Sequence, residues 1–289
     1  MADPYAPNRH LTGYLRAPGP AQTFVITALG VYLAWFVLRQ TIFVLFGEET
    51  AWGANNFGFA INLLFFAVLI ALMARAVRAV HGLNWRYFLG DSARLVADFT
   101  SVFAACALVY AVVIIIGWDP SSATMQPFGA WLAFLPIALI CILIQTGAEE
   151  LFFRGYLHHF CTIYLKRPIL WLLVPSALFG ATHIFNDLTS PSSALAYVIW
   201  TTAFGVACVD LTARSGSLGA AWGLHMAVNT AALTIAGTQG APVSGAALYL
   251  FPERSDEFEP VASMVFLALI FELLFLFVLW LAARNAIRR

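Results

Sequence analysis

Long apolar stretches separated by short polar segments run through this chain of 289 residues. A transmembrane helix needs about 20 mainly apolar residues to cross a hydrocarbon core of about 30 Å. Eight stretches come near that length, at roughly 23–46, 56–76, 97–117, 130–165, 168–186, 194–212, 217–237 and 261–283. Continuous apolar runs exclude a membrane barrel, whose strands alternate. The pattern predicts an all-α, polytopic membrane protein with about eight transmembrane helices.

The polar segments do not divide the chain into separate domains. Residues 1–22 are polar and contain prolines, and we expect them to form a cytoplasmic N-terminal tail. The first apolar run is longer than the core of a signal peptide, which predicts that it remains as a membrane helix. There is no internal repeat or low-complexity tract. Residues 23–289 are therefore expected to form a single membrane domain, with the longest outer loop at roughly 238–260.

The composition supports a membrane environment and narrows the classes of function. Hydrophobic residues make up 61% of the chain and charged residues 10%, and the mean hydropathy is +0.83. Fifteen Lys and Arg balance fifteen Asp and Glu, without a basic run that could follow a nucleic-acid backbone. No nucleic-acid partner is expected. The cysteines stand singly in apolar stretches, which is typical of small core side chains rather than of disulfides.

Charges in the polar segments predict how the chain is oriented. Twelve of the fifteen Lys and Arg lie in the N-terminal tail, in alternate loops and after the last span. The other loops carry mainly Asp and Glu. By the positive-inside rule, both termini are expected in the cytoplasm. The alanine-rich chain with short loops is typical of a multi-pass protein of a bacterial inner membrane.

One cluster of charged residues lies inside the fourth apolar stretch. An ionisable residue in a bilayer costs about 2.5–3.5 kcal/mol on insertion scales, so it calls for a partner or a function. Glu150 and Arg154 are four residues apart, which predicts an ion pair on one helix face. Glu149 points about 100° away and carries the less compensated charge, as a candidate general base does. Gln145, one turn earlier, could orient Glu149 or only pack.

Two further clusters place a histidine on a helix face with another side chain. These pairs are Phe179 with His183 and His225 with Asn229. A single histidine in a membrane helix more often makes an interhelical hydrogen bond than a site. The spacing alone therefore leaves a structural role for each histidine open.

Depth in the membrane favours a shared site. Residues 166–168 combine two charges with a proline and predict a cytoplasmic turn. Glu149 and His183 would lie about 25 and 24 Å from this turn on adjacent antiparallel helices. A modest tilt would bring His225 level with them. We expect the acid and the two histidines to converge. The fourth stretch would measure about 54 Å if straight, so it must protrude or break near Pro136, Gly147 or Gly155.

The three motifs together resemble one family of membrane proteins. They are EExxxR as Glu149, Glu150 and Arg154, FxxxH as Phe179 and His183, and HxxxN as His225 and Asn229. In this order they resemble the CPBP family, also called Abi, which includes type II CAAX prenyl endopeptidases and bacteriocin-immunity proteins. The resemblance covers roughly residues 130–237.

The resemblance implies an intramembrane, glutamate-dependent endopeptidase with its active-site cavity inside the membrane. Its substrate would be a membrane-anchored protein or peptide in the lipid bilayer. In the family, the residue that matches Glu149 activates a water molecule with help from the one that matches His183. His225 and Asn229 would hold the oxyanion, while the second glutamate and the arginine shape and charge the site. General acid–base chemistry and oxyanion stabilisation need such groups.

The sequence leaves a metal open. The family has often been described as metalloproteases, and Glu149, His183 and His225 could form a three-ligand zinc site with one open position. However, the chain lacks the HExxH motif, and these residues lie on three separate predicted helices. Spacing favours neither mechanism, and we prefer the one without metal.

Two other classes of function remain as alternatives. A proton-coupled carrier would also bury carboxylates and histidines near the middle of the bilayer, but the chain lacks the repeated halves of such transporters. A catalytically inactive immunity or binding protein could keep the same scaffold, although the intact motifs argue against it. The sequence does not specify the substrate or the oligomeric state.

Other polar residues are expected to have local roles. His158 and His159 fall near the predicted cytoplasmic surface, so we expect them at the membrane interface. Asp210 and Arg214 are four residues apart and predict a local ion pair. The roles of three further polar residues stay open, and these are Arg39, Gln145 and Glu272.

Overall fold

Helices form almost all of the regular structure in the computed structural model, which describes residues 3–8, 20–184, 190–252 and 261–287. The predicted all-α architecture is confirmed. Within those ranges, six helices are long and apolar enough to cross a membrane. They are Ala21–Gly47, Asn56–His81, Ser92–Gly117, Phe128–Tyr164, Pro191–Ser215 and Ala262–Ala286. The chain is an integral membrane protein.

The elements follow one another in a simple order. The helices are α1 Ala21–Arg39, α2 Thr41–Trp52, α3 Asn56–Leu64, α4 Phe66–His81, α5 Ser92–Gly117, α6 Phe128–Glu150, α7 His158–Tyr164, α8 Pro168–Ala181, α9 Pro191–Ser215, α10 Gly219–Thr234 and α11 Ala262–Ala286. The strands are β1 Thr124–Met125, β2 Ala236–Thr238 and β3 Tyr249–Phe251. In their small sheet, β3 lies between an antiparallel β1 and a parallel β2.

Each of the eight predicted spans contains helical structure, but two of the helices are short. α8 has 14 residues and α10 has 16, so they measure about 21 and 24 Å, less than a hydrocarbon core of about 30 Å. The two predicted spans that contain α8 and α10 are therefore not full-length helices. Parts of the predicted tail and outer loop, residues 1–2, 9–19 and 253–260, lie outside the described residues.

Local chemistry explains where the helices of the site begin and end. α8 begins at Pro168, whose missing N–H is not needed in the first turn of a helix. The break between α7 and α8 lies at the turn that was predicted for residues 166–168. α9 begins after Ser190, whose side chain accepts a hydrogen bond from a backbone N–H of the first turn. It ends at Gly216, which has φ 73° in the left-handed region.

The fourth predicted span is one long helical segment. α6 continues through a π-helical stretch, Leu151–Leu157, into α7, and together they cover the 37 residues of Phe128–Tyr164. The sequence predicted a protrusion or a break near Pro136, Gly147 or Gly155. The helix does not break there, but it changes to π geometry around Gly155. π-helical turns are rare and occur frequently at functional sites.

Small residues let α10 lie close to α5 and α6. A Cβ atom at Gly223 would meet the backbone of Phe99 on α5, and one at Gly147 on α6 would lie 2.6 Å from the ring of Trp222. Close approach of helices in membranes depends on such residues. Most of α10 is buried, so its polar side chains face protein rather than lipid.

Candidate active site

The junction of α6 and the π-helical stretch carries a buried ion pair. Nη1 of Arg154 lies 3.0 Å from Oε1 of Glu150, as the spacing of the two residues predicted. The side chains are 1% and 0% exposed. The contact lacks the alignment of a hydrogen bond, and the guanidinium also lies 4.3 Å from the centre of the Phe179 ring. Removing one partner of such a buried pair leaves a charge without compensation.

The imidazole of His225 lies between the two glutamates. Its Nδ1 is 2.7 Å from Oε1 of Glu150, and its Nε2 is 3.5 Å from Oε2 of Glu149. The edge of the ring meets Phe204, with 5.0 Å between the ring centres. α10 therefore brings its histidine directly onto both acids of α6. From the sequence, His225 was expected near the depth of Glu149 and His183, but not between the two carboxylates.

The two adjacent carboxylates differ in how far their side chains are exposed. The side chain of Glu149 is 11% exposed, whereas that of Glu150 is 0% exposed. Oε2 of each residue has no hydrogen-bond partner among the described residues, and 3.5 Å to Nε2 of His225 is long for a hydrogen bond. A buried polar atom without a partner is costly. Of the two side chains, that of Glu149 is the more accessible.

The two ring nitrogens of His225 face different carboxylates. A neutral imidazole has one N–H and one nitrogen lone pair. At 2.7 Å, Nδ1 donates to Glu150, so in a neutral ring the lone pair of Nε2 would face the carboxylate of Glu149. That contact is favourable only when a proton lies on Nε2 or on Glu149. His225 therefore connects the two carboxylates of α6 through its two ring nitrogens.

Asn229 lies one turn after His225 on α10 and is held by Gln145. Its Nδ2 donates a hydrogen bond of 2.8 Å to Oε1 of Gln145, which lies one turn before Glu149 on α6. The sequence left open whether Gln145 orients Glu149 or packs, and the structure pairs it with Asn229. An amide nitrogen has two hydrogens. Asn229 therefore has a second N–H to offer next to the glutamates.

His183 borders this group from the turn that follows α8. Its Nδ1 lies 2.7 Å from the backbone oxygen of Phe179 and donates to it, so Nε2 of the neutral ring is an acceptor. The rings of His183 and Phe179 lie 4.4 Å apart. Both Glu149 and His225 are close enough to act on His183 electrostatically. The structure thus brings the expected acid and two histidines to one place.

The histidines that follow the first motif are buried inside the protein, and their predicted position at the membrane interface stays a prediction. His158 is 0% exposed and His159 is 1% exposed. Nε2 of His158 lies 3.2 Å from Oδ1 of Asn8 in the N-terminal tail. The ring of His159 meets Phe88 edge-on, with 5.3 Å between the ring centres. Residues of the tail and of the segment Trp85–Leu89 therefore lie against these two histidines.

The other polar residues have structural partners. The predicted pair of Asp210 and Arg214 is confirmed, with 2.8 Å between Oδ1 and Nε. Arg39, which had no assigned role, donates a hydrogen bond of 3.0 Å to Oδ1 of Asn62. Glu272 lies near Tyr110 of α5. All four cysteines are free, and Cys106, Cys141 and Cys208 are buried as expected of core side chains, whereas Cys161 is only partly buried.

The residues do not form the three-ligand metal site that the sequence allowed. Within residues 3–8, 20–184, 190–252 and 261–287, no group of three or more His, Cys, Asp or Glu could hold a metal ion. The reason is visible in the histidines, since Nδ1 of His225 is directed at Glu150 and Nδ1 of His183 at a backbone oxygen. We therefore derive the chemistry from the side chains alone.

The site falls inside a segment that is similar to a known family. Residues 128–231 match the family model described as type II CAAX prenyl endopeptidase Rce1-like. The resemblance predicted from the motifs is confirmed. The Rce1-like segment runs from the start of α6 into α10, so it contains all six predicted site residues.

A curated relative extends the comparison. The uncharacterized protein YyaK of Bacillus subtilis (strain 168) is 34% identical over 151 residues. These residues are 51% of this chain and 46% of YyaK, so the chain spans about half the length of the curated relative that it matches. No solved structure matches the chain significantly. The comparisons therefore bear on the Rce1-like segment more than on the helices before it.

One polar residue near the site was missed by the sequence analysis. Tyr32 lies on α1, outside the Rce1-like segment, and its ring packs 5.5 Å from that of Phe152. It belongs to none of the three motifs. The sole signal in the sequence is a tyrosine hydroxyl in the middle of an apolar stretch, and a buried tyrosine usually finds a hydrogen-bond partner.

Proposed function

We propose that this protein is an intramembrane endopeptidase that hydrolyses a peptide bond of a membrane-anchored protein or peptide. The observation that carries the proposal is the carboxylate of Glu149. It is buried, lies beside His225 and keeps one oxygen without a hydrogen-bond partner in the described part of the chain. A general base for water needs such an oxygen. The Rce1-like match supports the same class of reaction.

Glu149 acts as the general base in this proposal. A water molecule bound to its Oε2 gives a proton to the carboxylate while the water oxygen attacks the carbonyl carbon of the scissile bond. Nε2 of His183 accepts the second hydrogen of the same water and so orients it. When the C–N bond breaks, the proton on Glu149 passes to the leaving amine, which restores the carboxylate.

Asn229 and His225 stabilise the negative charge that develops on the carbonyl oxygen. The hydrogen bond to Gln145 fixes the amide of Asn229 and leaves its second N–H for the oxyanion. His225 is held by Glu150 through Nδ1, and Nε2 of the protonated ring donates its N–H to the same oxyanion. Arg154 compensates the charge of Glu150 inside the protein. These residues are pre-organised, so little reorientation accompanies the reaction.

The setting of the site supports a substrate that is itself in the membrane. The residues of the site lie on helices of an integral membrane protein, and α10 is enclosed by its neighbours. We propose a location in the bacterial inner membrane with both termini in the cytoplasm, because positive charges concentrate in the corresponding loops. The reaction is proposed to proceed without metal.

A cleavage assay tests the proposal. The purified full chain and its Glu149→Gln variant are incubated with a library of membrane-anchored peptides, with and without a strong chelator, and products are identified by mass spectrometry. We expect cleavage by the wild type, loss of cleavage in the variant and no effect of the chelator. Full activity of the variant would overturn the role of Glu149. Loss on chelation with recovery on adding zinc would overturn the mechanism without metal.

A further inference from the structure

Trp222 of α10 lies against the helix that carries the two glutamates. Its indole covers Gly147 of α6, where a Cβ atom would lie 2.6 Å from Cζ2 of the ring. The ring of Phe99 on α5 meets the indole edge-on, with 5.4 Å between the ring centres. The sequence predicted a possible break of the helix near Gly147, and the structure instead places the indole there. The packing of Trp222 therefore depends on the missing side chain at position 147.

The indole also makes a hydrogen bond with α6. Its Nε1 donates to Oγ1 of Thr146 over 3.1 Å. Oγ1 of Thr146 donates its single hydrogen to the backbone oxygen of Ile142 over 2.8 Å. An indole N–H can only donate, so the direction of both hydrogen bonds follows. Thr146 is fully buried, which keeps solvent water from competing for this acceptor.

These contacts lie on the same helix faces as the contact between His225 and Glu150. Trp222 and His225 are three residues apart on α10, and Thr146 and Glu150 are four apart on α6, so each pair shares a face. Trp222 binds Thr146 over 3.1 Å, and Nδ1 of His225 lies 2.7 Å from Oε1 of Glu150. One turn of α10 is therefore fixed to one turn of α6 at two points.

The position of α10 decides whether His225 reaches both carboxylates. Its Nε2 is 3.5 Å from Oε2 of Glu149, already longer than an ordinary hydrogen bond. An outward shift of α10 would separate these atoms further. The hydrogen bond from Asn229 to Gln145 holds α10 one turn after His225, and Trp222 holds it one turn before. His225 is therefore flanked on α10 by two contacts to α6.

We propose that Trp222 is a positioning residue that, through its hydrogen bond to Thr146 and its contact with Gly147, sets the position of α10 so that His225 lies between the two glutamates. The inference rests on the proposed function, since His225 is given its role there. It assigns a part in the reaction to three residues that belong to none of the three motifs. Trp222 acts through the backbone of α10 and exchanges no proton with the substrate.

Kinetics of conservative variants test the hydrogen bond, with the peptide that the wild type cleaves best. Thr146→Val keeps the shape of the side chain and removes the acceptor, and we expect kcat to fall roughly five- to tenfold, as for one lost hydrogen bond, with KM within about twofold. Thr146→Ser retains the hydroxyl and should keep most of the rate. Trp222→Phe should lose at least as much as Thr146→Val. The double variant should be no slower than Trp222→Phe alone.

A paired substitution tests the contact at Gly147. Gly147→Ala places a methyl group against the indole, and we expect kcat to fall by about 10²-fold, as for a displacement of about 1 Å in an active site. Trp222→Phe lacks the ring atom that this methyl group would meet. Adding Trp222→Phe to Gly147→Ala should therefore raise kcat. A further loss in this double variant would show that the contact does not position α10.

Trp131→Phe is the matched control. Nε1 of Trp131 donates to the backbone oxygen of Thr234 over 2.9 Å and so joins the same two helices, 18 residues before Glu149 on α6. This variant should cleave at nearly the wild-type rate. An equal loss in Trp131→Phe and Trp222→Phe would indicate general cohesion of the helices and overturn the proposal, as would wild-type rates in both Thr146→Val and Trp222→Phe. Glu149→Gln is assayed in parallel, so that an active Glu149→Gln counts against the proposed function and an active Trp222→Phe counts only against this inference.

The ¹⁵N spectrum of His225 gives a second test without any substrate. The signal of Nδ1 reports its short hydrogen bond to the carboxylate of Glu150. We expect this signal to move in Trp222→Phe and to stay at its wild-type position in Trp131→Phe. An unmoved signal in Trp222→Phe would contradict the proposal.

Discussion

The two halves of the site contrast in how completely their charges are satisfied. In the closed half, Glu150, Arg154 and His225 contact one another at 2.7 and 3.0 Å and are almost fully buried. In the open half, the side chain of Glu149 is 11% exposed, and its Oε2 lies 3.5 Å from Nε2 of His225. The glutamates of the two halves, Glu149 and Glu150, are adjacent residues of α6.

Two adjacent residues of one helix can therefore have different roles, one structural and one chemical. Successive side chains point about 100° apart, so Glu150 meets the arginine one turn later, whereas among the described residues Glu149 is contacted by His225 of α10. A fully compensated carboxylate has little tendency to take a proton from water, whereas an uncompensated one does. We therefore propose that the closed half holds His225 in place and that the open half performs the reaction.

Breaking the closed half should have the largest effect on stability. Arg154→Met keeps much of the side-chain volume but leaves Glu150 without its partner, and we expect a loss of about 3–5 kcal/mol in the free energy of unfolding. Thermal unfolding in detergent can be followed with a dye that reacts with the buried cysteines as they become exposed. A melting temperature equal to that of the wild type would show that the pair is not essential to the fold.

Removing the donor of the open half should affect the rate rather than the fold. Asn229→Leu deletes the N–H proposed for the oxyanion, and we expect kcat to fall by about 10²–10³-fold. The melting temperature and KM should change little. Thr230→Val alters the next residue of α10 and is the matched control, with activity expected near that of the wild type. Equal losses in both variants would argue for a general disturbance of α10.

Breaking the hydrogen bond between Gln145 and Asn229 should have a smaller effect on kcat. Gln145→Leu removes the acceptor that orients Asn229, and we expect kcat to fall roughly fivefold, the equivalent of one hydrogen bond of about 1 kcal/mol. The measurement is repeated in the Asn229→Leu background. There the substitution of Gln145 should have no further effect, and an unchanged fivefold loss would mean that Gln145 acts on another group.

The smallest effect is expected at the second carboxylate–arginine pair. Asp210 and Arg214 have the same spacing as Glu150 and Arg154, but the side chain of Arg214 is 20% exposed rather than 1%. Exposed pairs contribute about 0–1 kcal/mol. Arg214→Met should therefore lower the free energy of unfolding by at most about 1 kcal/mol and leave cleavage unchanged. A loss of stability as large as that of Arg154→Met would show that burial does not explain the difference between the two ion pairs.

The sequence predicted those features that depend on spacing within one helix. The pair of Glu150 with Arg154, the pair of Asp210 with Arg214 and the turn before Pro168 all follow from local periodicity or from proline geometry. The membrane class followed from the apolar runs. These predictions hold because each depends on a few neighbouring residues.

Features that depend on how helices rotate against one another could not be predicted in the same way. Depth along α10 brought His225 to the level of Glu149, but only the close approach of α10 to α6 places its ring between two carboxylates. His158 is buried because Asn8, 150 residues away along the chain, covers it. Tyr32 lies on a helix without any motif, so no spacing connected it with the site.

The most direct test of the account compares the adjacent glutamates. Glu149→Gln and Glu150→Gln are purified side by side, and the cleavage rate and the melting temperature of each are measured. We predict that Glu149→Gln cleaves at least about 100-fold more slowly at an almost unchanged melting temperature, whereas Glu150→Gln unfolds at a clearly lower temperature. A Glu149→Gln variant that cleaves at the wild-type rate would contradict the central claim.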